Sequence, residues 1–355
     1  MNENRIRKFI LYAALFLIIM GLTFWNVFRG QDFEGMMSAI GEMSGWYLLA
    51  AVALAVLFVA GEGIMIWYLL RGIGESQSLF RCLSYSYTGF FFSGITPSAS
   101  GGQPMQLYYM KKDRCTFSSS FAVLMTIAVF NKVAMALFGA GLLFLWNGRL
   151  RSLLQGYFGL FCVGLLLHIG WVVILFLIMF RPMGIKSLLH RLAGIPVKLK
   201  LWKESETKLE KIDHFFSGYQ ETVGFLQGHR KMIWVTVAGS FLQRCCPLAL
   251  VCVVYLGLGL RGAALSDIFL LQAAVSTAVE MLPIPGAQGV TEAMYSSVFG
   301  SIFPGRYLVA SMCITRGVSF YFVLAVGGCW ALLRMVTERK RAGRGKVPTE
   351  EQGSF

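Results

Sequence analysis

Six runs of mostly apolar residues, each about 20 residues or longer, recur along the chain with more polar segments between them. A run of that length is enough for a helix to cross the hydrocarbon core of a bilayer. The runs predict transmembrane helices at residues 9–28, 46–70, 118–146, 155–180, 232–258 and 307–333. The predicted fold class is an all-α polytopic membrane protein with about six full transmembrane helices.

Two further apolar segments, residues 82–110 and 264–303, are interrupted in the middle, and neither has a limb long enough to cross. Both contain the spacing Pro-x-x-x-Gly, over residues 97–101 in the first and 285–289 in the second. Each segment is predicted to form a re-entrant hairpin. The first would enter from the cytoplasmic face and the second from outside.

A full predicted span precedes and follows each hairpin, so residues 46–146 and 232–333 are expected to be two repeats of opposite orientation. Transporters built from inverted repeats bind substrate near the membrane midplane, where their broken helices meet. The two hairpins are therefore expected to point at each other. Residues 1–333 are interpreted as one transmembrane domain and residues 334–355 as a basic, disordered tail.

Composition supports a membrane protein, and the charge pattern gives it an orientation. Hydrophobic residues make up 56% of the chain, charged residues make up 14%, and the mean hydropathy is +0.63, which is too apolar for a water-soluble fold. The net charge of +14 comes from basic residues that cluster between the spans, as in cytoplasmic loops. We therefore expect a cell-membrane location, both termini and the basic loop 181–231 in the cytoplasm, and no nucleic-acid partner. Arg149 and Arg151, in a predicted external loop, are the exception.

The two breaks predict a cavity, because backbone that leaves the helix at membrane depth needs protein or water to satisfy its polar groups. The first break offers hydroxyls, an amide and flexible backbone ahead of a short helix whose free N–H groups favour an anion. Its candidate binding residues are Ser98, Ser100, Gly101, Gly102 and Gln103. A phosphate group would fit this segment, and the alternative is a packing hinge in which the serines cap the helix.

A basic residue lies in the span after each hairpin, Lys132 after the first and Arg316 after the second. A charge inside a span costs about 2.5–3.5 kcal/mol on insertion scales and normally faces a polar interior. One cation from each repeat beside the cavity would suit a phosphate monoester or diester. The second break adds the candidate binding residues Pro285, Gly286, Gly289 and Glu292.

Further ionisable residues lie inside the apolar segments, and more than one interpretation stays open for them. Glu62 and Arg244 either neutralise each other as a buried ion pair or take part in coupling transport to an ion. Glu280 and Glu292 flank the second break, where they could pair with Arg316, bind a cationic headgroup or carry a proton.

Cysteine and histidine predict neither a metal site nor a cofactor. Six of the eight cysteines lie in apolar stretches without metal-ligand spacing and are interpreted as packing residues. Of the four histidines only His168 lies within a span, where an interhelical hydrogen bond is expected.

The chain resembles a known family at GITPSASGGQPMQLYYM (residues 94–110), at LPIPGAQGVTE (residues 282–292) and at the basic residue in each following span. The family is the flippase-like transmembrane region of lysylphosphatidylglycerol synthases, the multiple peptide resistance factor family. The resemblance covers nearly the whole chain and implies movement of an aminoacylated lipid to the outer leaflet.

Full-length members of that family carry a soluble C-terminal domain that transfers lysine from charged tRNA to phosphatidylglycerol. Only a short basic tail follows Leu333 here, so the synthase domain and its activity are expected to be absent. The family pattern often has an acidic residue and an arginine where this chain has Asn131 and Lys132. This departure leaves the identity of the headgroup open.

The leading hypothesis is a flippase that moves a phosphate-bearing lipid, either an anionic or aminoacylated phospholipid or a polyprenyl-phosphate carrier. A second hypothesis is a membrane-embedded enzyme of lipid modification with Glu280 or Glu292 as general base, which would need a nucleophile or a metal. A third is a partner that recruits a separately encoded lipid synthase through the basic loop. The sequence contains no nucleotide-binding motif, so the movement would be driven by a gradient, by downstream consumption or by nothing.

Overall fold

The computed structural model describes residues 33–96, 99–180 and 205–344. The predicted span 9–28, the residues Pro97 and Ser98, and the part 181–204 of the basic loop lie outside the described residues. The end of the chain after Arg344 lies outside them as well.

Helices make up nearly all of the described chain. In order they are α1 (Phe33–Glu42), α2 (Gly45–Gly72), α3 (Leu79–Ile95), α4 (Gly102–Lys112), α5 (Phe117–Leu145), α6 (Asn147–Leu154), α7 (Phe158–Phe180), α8 (Ser205–Gly228), α9 (Arg230–Gly257), α10 (Leu265–Val279), α11 (Val290–Phe299), α12 (Arg306–Arg316) and α13 (Val323–Arg344). Short 3₁₀ turns lie at Gln155–Tyr157 and Pro285–Ala287, and a π-helical segment, Gly317–Phe322, joins α12 to α13.

Five helical segments in the described chain are long and apolar enough to cross a membrane. They are Gly45–Gly72, Phe117–Leu145, Asn147–Met179, Arg230–Gly257 and Arg306–Arg334. Each coincides with one of the spans predicted after residue 28, and an uninterrupted helix satisfies its backbone polar groups internally, as an apolar environment requires. The all-α polytopic fold is confirmed.

The two interrupted segments fold as pairs of short helices. Helix α3 has 17 residues and α4 has 11, while α10 has 15 and α11 has 10. All four are shorter than the roughly 20 residues of a full span. That each pair enters and leaves the membrane on one face stays a prediction.

The first long helices of the two halves, α2 and α9, lie antiparallel and in close contact. Gly72 at the end of α2 meets Met232 near the start of α9, and Gly257 at the end of α9 meets Tyr47 near the start of α2. A Cβ atom would approach the facing side chain to 2.2 Å at Gly72 and to 2.8 Å at Gly257. The contact at Gly257 is with Cβ of Tyr47, which cannot move without the backbone, whereas the flexible end of Met232 could move aside at Gly72.

The last helix of each half packs on the first short helix of the other half. In α5, a Cβ on Gly139 would lie 2.9 Å from Cγ2 of Thr277 in α10. In α13, a Cβ on Gly327 would lie 2.6 Å from the carbonyl oxygen of Tyr87 in α3. This exchange interlocks the halves and places both breaks beside one interior space.

Arg149 and Arg151, the basic residues in a predicted external loop, have partners close by in the structure. Arg149 donates to Asp267 of α10 at 2.6 Å and lies over the ring of Trp146, with its guanidinium carbon 5.6 Å from the ring centroid. Arg151 lies over the ring of Phe158 at 4.7 Å. An ion pair and aromatic rings therefore hold these two arginines, which reduces the cost of placing them on a short helix, α6, between two apolar spans.

The last helix is longer than the sequence predicts. A disordered tail is expected from residue 334, but α13 continues to Arg344. Arg334 itself is anchored, because its guanidinium pairs with Asp113 after α4 and lies 5.3 Å and 4.9 Å from the ring centroids of Tyr85 and Tyr109.

Gly164→Ala is expected to destabilise the protein, because α7 and α10 are in backbone contact there. A Cβ at residue 164 would lie 2.2 Å from the carbonyl oxygen of Thr277, so the helices would have to move apart. Overpacking of this kind costs about 1–3 kcal/mol, and thermal unfolding in detergent should show a lower Tm. Gly170→Ala on the same helix is the control, since no atom lies within 4 Å of that Cβ. Equal Tm values for the two variants would contradict the contact.

Candidate functional site

A cavity of about 400 Å³ lies between the two breaks. Its wall is mostly apolar, with Phe58, Phe90 and Leu248 among the larger side chains. The polar and charged residues that line it are Ser93, Arg244, Gln272, Ser276, Glu280, Thr291, Tyr295, Thr315, Arg316 and Ser319. The volume lies within the range of about 300–1,000 Å³ that is usual for small-ligand sites.

Glu280, directly after α10, binds two cations at the wall of the cavity. Lys132 Nζ in α5 donates to its Oε1 at 2.7 Å, and Arg244 Nη1 in α9 donates to its Oε2 at 3.0 Å. Arg244 Nε also donates to Asn131 Oδ1 at 3.2 Å. The side chain of Lys132 is 23% exposed, that of Arg244 is 16% exposed and that of Glu280 is 26% exposed. Most of each charged side chain is therefore removed from solvent.

Glu292 and Arg316 form a second charged centre on the other side of the break. Arg316 Nε donates to Glu292 Oε1 at 2.7 Å, and Arg316 Nη2 donates to the carbonyl oxygen of Gly286 at 2.9 Å. The other carboxylate oxygen of Glu292 accepts the backbone N–H of Gly289 at 2.6 Å and so caps the start of α11. Arg316 also lies over the ring of Phe320, 5.1 Å from its centroid.

Glycine is required at this break for the backbone to turn. Gly286 has φ of 59° and Gly289 has φ of 83°, a region that is costly for residues with a Cβ. The turn exposes the Gly286 carbonyl to Arg316, so the motif and the arginine predicted from the sequence meet in the structure. The acceptor of this bond is a backbone carbonyl, so residue types alone did not predict it.

The first break has a different character, since its described contacts join neutral groups. The backbone N–H of Gly101 donates to Thr96 Oγ1 at 2.9 Å, and Ser93 Oγ donates to the carbonyl oxygen of Ala99 at 3.3 Å. A Cβ on Gly102 would lie 2.0 Å from Ser93 Oγ, so this glycine allows α3 and α4 to approach closely.

The candidate residues of the first break do not line the cavity as a group. Ser100 and Gln103 are exposed, and neither they nor Gly101 and Gly102 are among the lining residues. Lys132 is also absent from the lining and reaches the cavity only through Glu280. Among the other predicted residues, Arg316, Gly286, Arg244 and Glu280 do line it, whereas Gly289 and Glu292 lie behind them.

Arg244 does not pair with Glu62. Glu62 in α2 instead accepts from Gln106 Nε2 at 2.9 Å and from Ser86 Oγ at 3.3 Å, both on the first hairpin. Glu62 therefore lies among neutral donors of its own half, while Arg244 belongs to the cluster around Glu280.

The charged groups at the second break do not cancel. The side chains that meet there are three cations, from Lys132, Arg244 and Arg316, and two carboxylates, from Glu280 and Glu292. A site with one excess positive charge and partly apolar walls favours an anion over a cation.

Within the described ranges, no group of three histidine, cysteine or acidic side chains is arranged to hold a metal ion. All eight cysteines are free. Burial raises the pKa of Cys115, between α4 and α5, to about 11, so this group is a neutral thiol at physiological pH.

The fold and the cavity together define a class of protein: a multi-pass, all-helical membrane protein in which two similarly ordered halves enclose a charged cavity. A family model described as the lysylphosphatidylglycerol synthase TM region matches residues 10–327, and the chain belongs to this family. The chain is 24% identical over 290 residues to the UPF0104 membrane protein PH1989 of Pyrococcus horikoshii. That alignment covers 76% of this chain and 83% of the relative.

Arg316→Met is expected to lower the free energy of unfolding by about 3–5 kcal/mol, because it leaves the carboxylate of Glu292 buried without its cation. Adding Glu292→Gln removes that charge and should recover much of the loss in thermal unfolding. Arg149→Gln is the comparison, since Arg149 is 60% exposed and its pair with Asp267 should contribute at most about 1 kcal/mol. Similar losses for the two arginine variants would contradict a buried Arg316–Glu292 pair.

Proposed function

We propose that this protein moves a lipid with a phosphate-bearing headgroup between the leaflets of the cell membrane. The observation that carries the proposal is the cavity between the two breaks, whose wall contains Arg244 and Arg316. The basic segments favour an orientation with both termini in the cytoplasm.

The two arginines retain donors for a ligand. A guanidinium has five N–H groups, and the contacts described above use two nitrogen atoms of Arg244 and two of Arg316. The planar array of donors matches the oxygens of a phosphate, which Arg binds with two parallel hydrogen bonds. Glu280 and Glu292 hold the guanidinium groups in place before a ligand arrives.

The remaining wall of the cavity matches the rest of a lipid headgroup. Hydroxyls and an amide are available from Ser276, Thr315, Ser319 and Gln272 for glycerol or ester oxygens. The cavity volume suits a headgroup rather than a whole lipid, so the acyl or isoprenoid chains would stay in the bilayer. A headgroup that also carries an amine, as an aminoacylated phospholipid does, would find the carboxylate of Glu280 at the same wall.

Two interlocked halves with breaks at one site provide a route for exchange. Rocking of one half against the other would open the site to each leaflet in turn, as in transporters built from inverted repeats. The substrate class is an anionic or aminoacylated phospholipid, of which lysylphosphatidylglycerol is an example, or a polyprenyl phosphate. A separately encoded enzyme could supply such a lipid.

Leaflet exchange in proteoliposomes tests the proposal. Arg316→Gln, combined with Glu292→Gln so that no buried carboxylate loses its cation, is expected to slow exchange of fluorescent phosphatidylglycerol or of a polyprenyl phosphate by roughly 10–100-fold, since a hydrogen bond to a charged group contributes about 1.5–3 kcal/mol. Arg306→Gln is the matched control, because Arg306 begins the same helix, pairs with Glu42 and is not among the residues that line the cavity. It should exchange lipid at close to the wild-type rate.

The choice of lipids in that assay decides between the functions considered. Exchange of one lipid class that is lost only in cavity variants would support transport and identify the class. Equal loss in the double variant, Arg316→Gln with Glu292→Gln, and in Arg306→Gln would indicate a general defect instead. No exchange of any lipid by folded wild-type protein would contradict transport and favour an enzyme or a partner of a lipid synthase.

A further inference from the structure

His168 in α7 is a fully buried imidazole that the proposed function does not yet use. Its Nδ1 lies 2.9 Å from the carbonyl oxygen of Gly164, one helical turn earlier. A carbonyl oxygen only accepts hydrogen bonds, so Nδ1 carries a hydrogen. In the neutral ring the other nitrogen, Nε2, must then be an unprotonated acceptor.

That acceptor faces a carboxylate. Nε2 of His168 lies 3.9 Å from Oε2 of Glu280, beyond hydrogen-bond distance, and it has no hydrogen-bond partner among the described residues. Two acceptors facing each other across a buried gap make no favourable contact. A proton on Nε2 would turn the same pair into a charge-assisted hydrogen bond.

Helix packing sets this position. Gly164 lets α7 touch the backbone of α10 at Thr277 and Ala278, where a Cβ at residue 164 would overlap the chain. His168 follows Gly164 by one turn on α7, and Glu280 follows Ala278 at the end of α10. The closest backbone contact between these helices therefore brings the imidazole to the carboxylate.

The carboxylate oxygen that faces His168 is already shared. Oε2 of Glu280 accepts from Arg244 of α9 at 3.0 Å, while Oε1 accepts from Lys132 of α5 at 2.7 Å. These are the charged groups that the described structure places at Glu280 from the neighbouring helices, and the neutral Asn131 contacts the other side of Arg244. Arg244 lines the cavity, whereas His168 does not.

We propose that His168 binds a proton that is coupled to binding of the anionic headgroup. With Nε2 protonated, His168 competes with Arg244 for Oε2 of Glu280, and Arg244 is released towards the phosphate in the cavity. The cluster of Lys132, Arg244 and Glu280 carries one net positive charge, and the proton raises it to two. By linkage, the proton and the headgroup increase each other's affinity for the protein by the same factor.

This inference rests on the proposed function and adds its coupling ion. A phosphate-bearing headgroup would bind together with one proton, so a pH gradient across the membrane could bias the direction of lipid movement. No nucleotide or metal is needed for that bias.

The first test observes the proton directly and does not require transport. Wild-type protein labelled with ¹⁵N-histidine is placed in phosphatidylcholine nanodiscs, and the Nε2 resonance of His168 is assigned by its loss in His168→Gln. Lowering the pH from about 8 to about 5 should increase the protonated signal of this nitrogen. Adding phosphatidylglycerol should increase the protonated fraction at fixed pH. A resonance that stays unprotonated to about pH 5, with and without the lipid, would overturn the proposal.

The second test measures exchange of fluorescent phosphatidylglycerol with equal pH on both sides of the membrane. Wild-type exchange should be about fivefold or more faster near pH 5.5 than near pH 8, the low end of usual coupling factors. His168→Gln should lose this dependence. His229→Gln should keep it, because His229 makes the same contact, Nδ1 to the carbonyl oxygen of Phe225 at 2.8 Å, but is exposed.

The outcomes separate this inference from the proposed function. Exchange that occurs at the same rate at both pH values would overturn proton coupling and leave lipid transport standing. Absence of exchange would remove the proposed function, and the resonance of His168 would still show whether the imidazole takes up a proton. If His168→Gln does not fold, the resonance that remains after His190→Gln, His214→Gln and His229→Gln is that of His168, and its response to phosphatidylglycerol decides the question.

Discussion

The arrangement of the interior depends on one carboxylate, that of Glu280, which is shared between a cation from each half of the molecule. Removing three charged side chains from water is costly, and their mutual attraction offsets that cost only when the geometry is good. Lys132 reaches Glu280 because α5 of the first half lies on α10 of the second half. The helix exchange and the ion pair therefore stabilise each other, and together they fix which surfaces line the cavity.

The two breaks share a motif but have different physical roles. At the second break, two carboxylates and three cations converge on a turn that requires glycine at Gly286 and Gly289. At the first break, Gly101 and Gly102 serve close packing of α3 against α4. Most charged groups of the site belong to the second half of the molecule. The first half contributes Lys132, the facing helices and a neutral wall.

The sequence predicted the five spans after residue 28 well, because a continuous apolar run specifies a membrane helix almost independently of its neighbours. The sequence also predicted that Arg316 lies beside the second break, because a cation within a span needs a polar partner. It could not assign Lys132 to Glu280, because that pairing depends on which helices the halves exchange. Arg334 was read as the start of a solvated tail, yet it is held between Tyr85, Tyr109 and Asp113. The polar residues Ser100 and Gln103 are exposed and lie off the cavity wall, which their place in the motif did not predict.

The pairing of Lys132 with Glu280 has a consequence for biosynthesis. The two residues are 148 positions apart, so at about 5–20 residues per second the acid emerges from the ribosome roughly 7–30 s after the lysine. During that interval α5 must enter the membrane with an uncompensated ammonium group. The helix is 29 residues long, which leaves room for it to shift or tilt until its lysine reaches the interface. The insertion machinery thus handles a temporary charge that the finished protein neutralises only when its second half arrives.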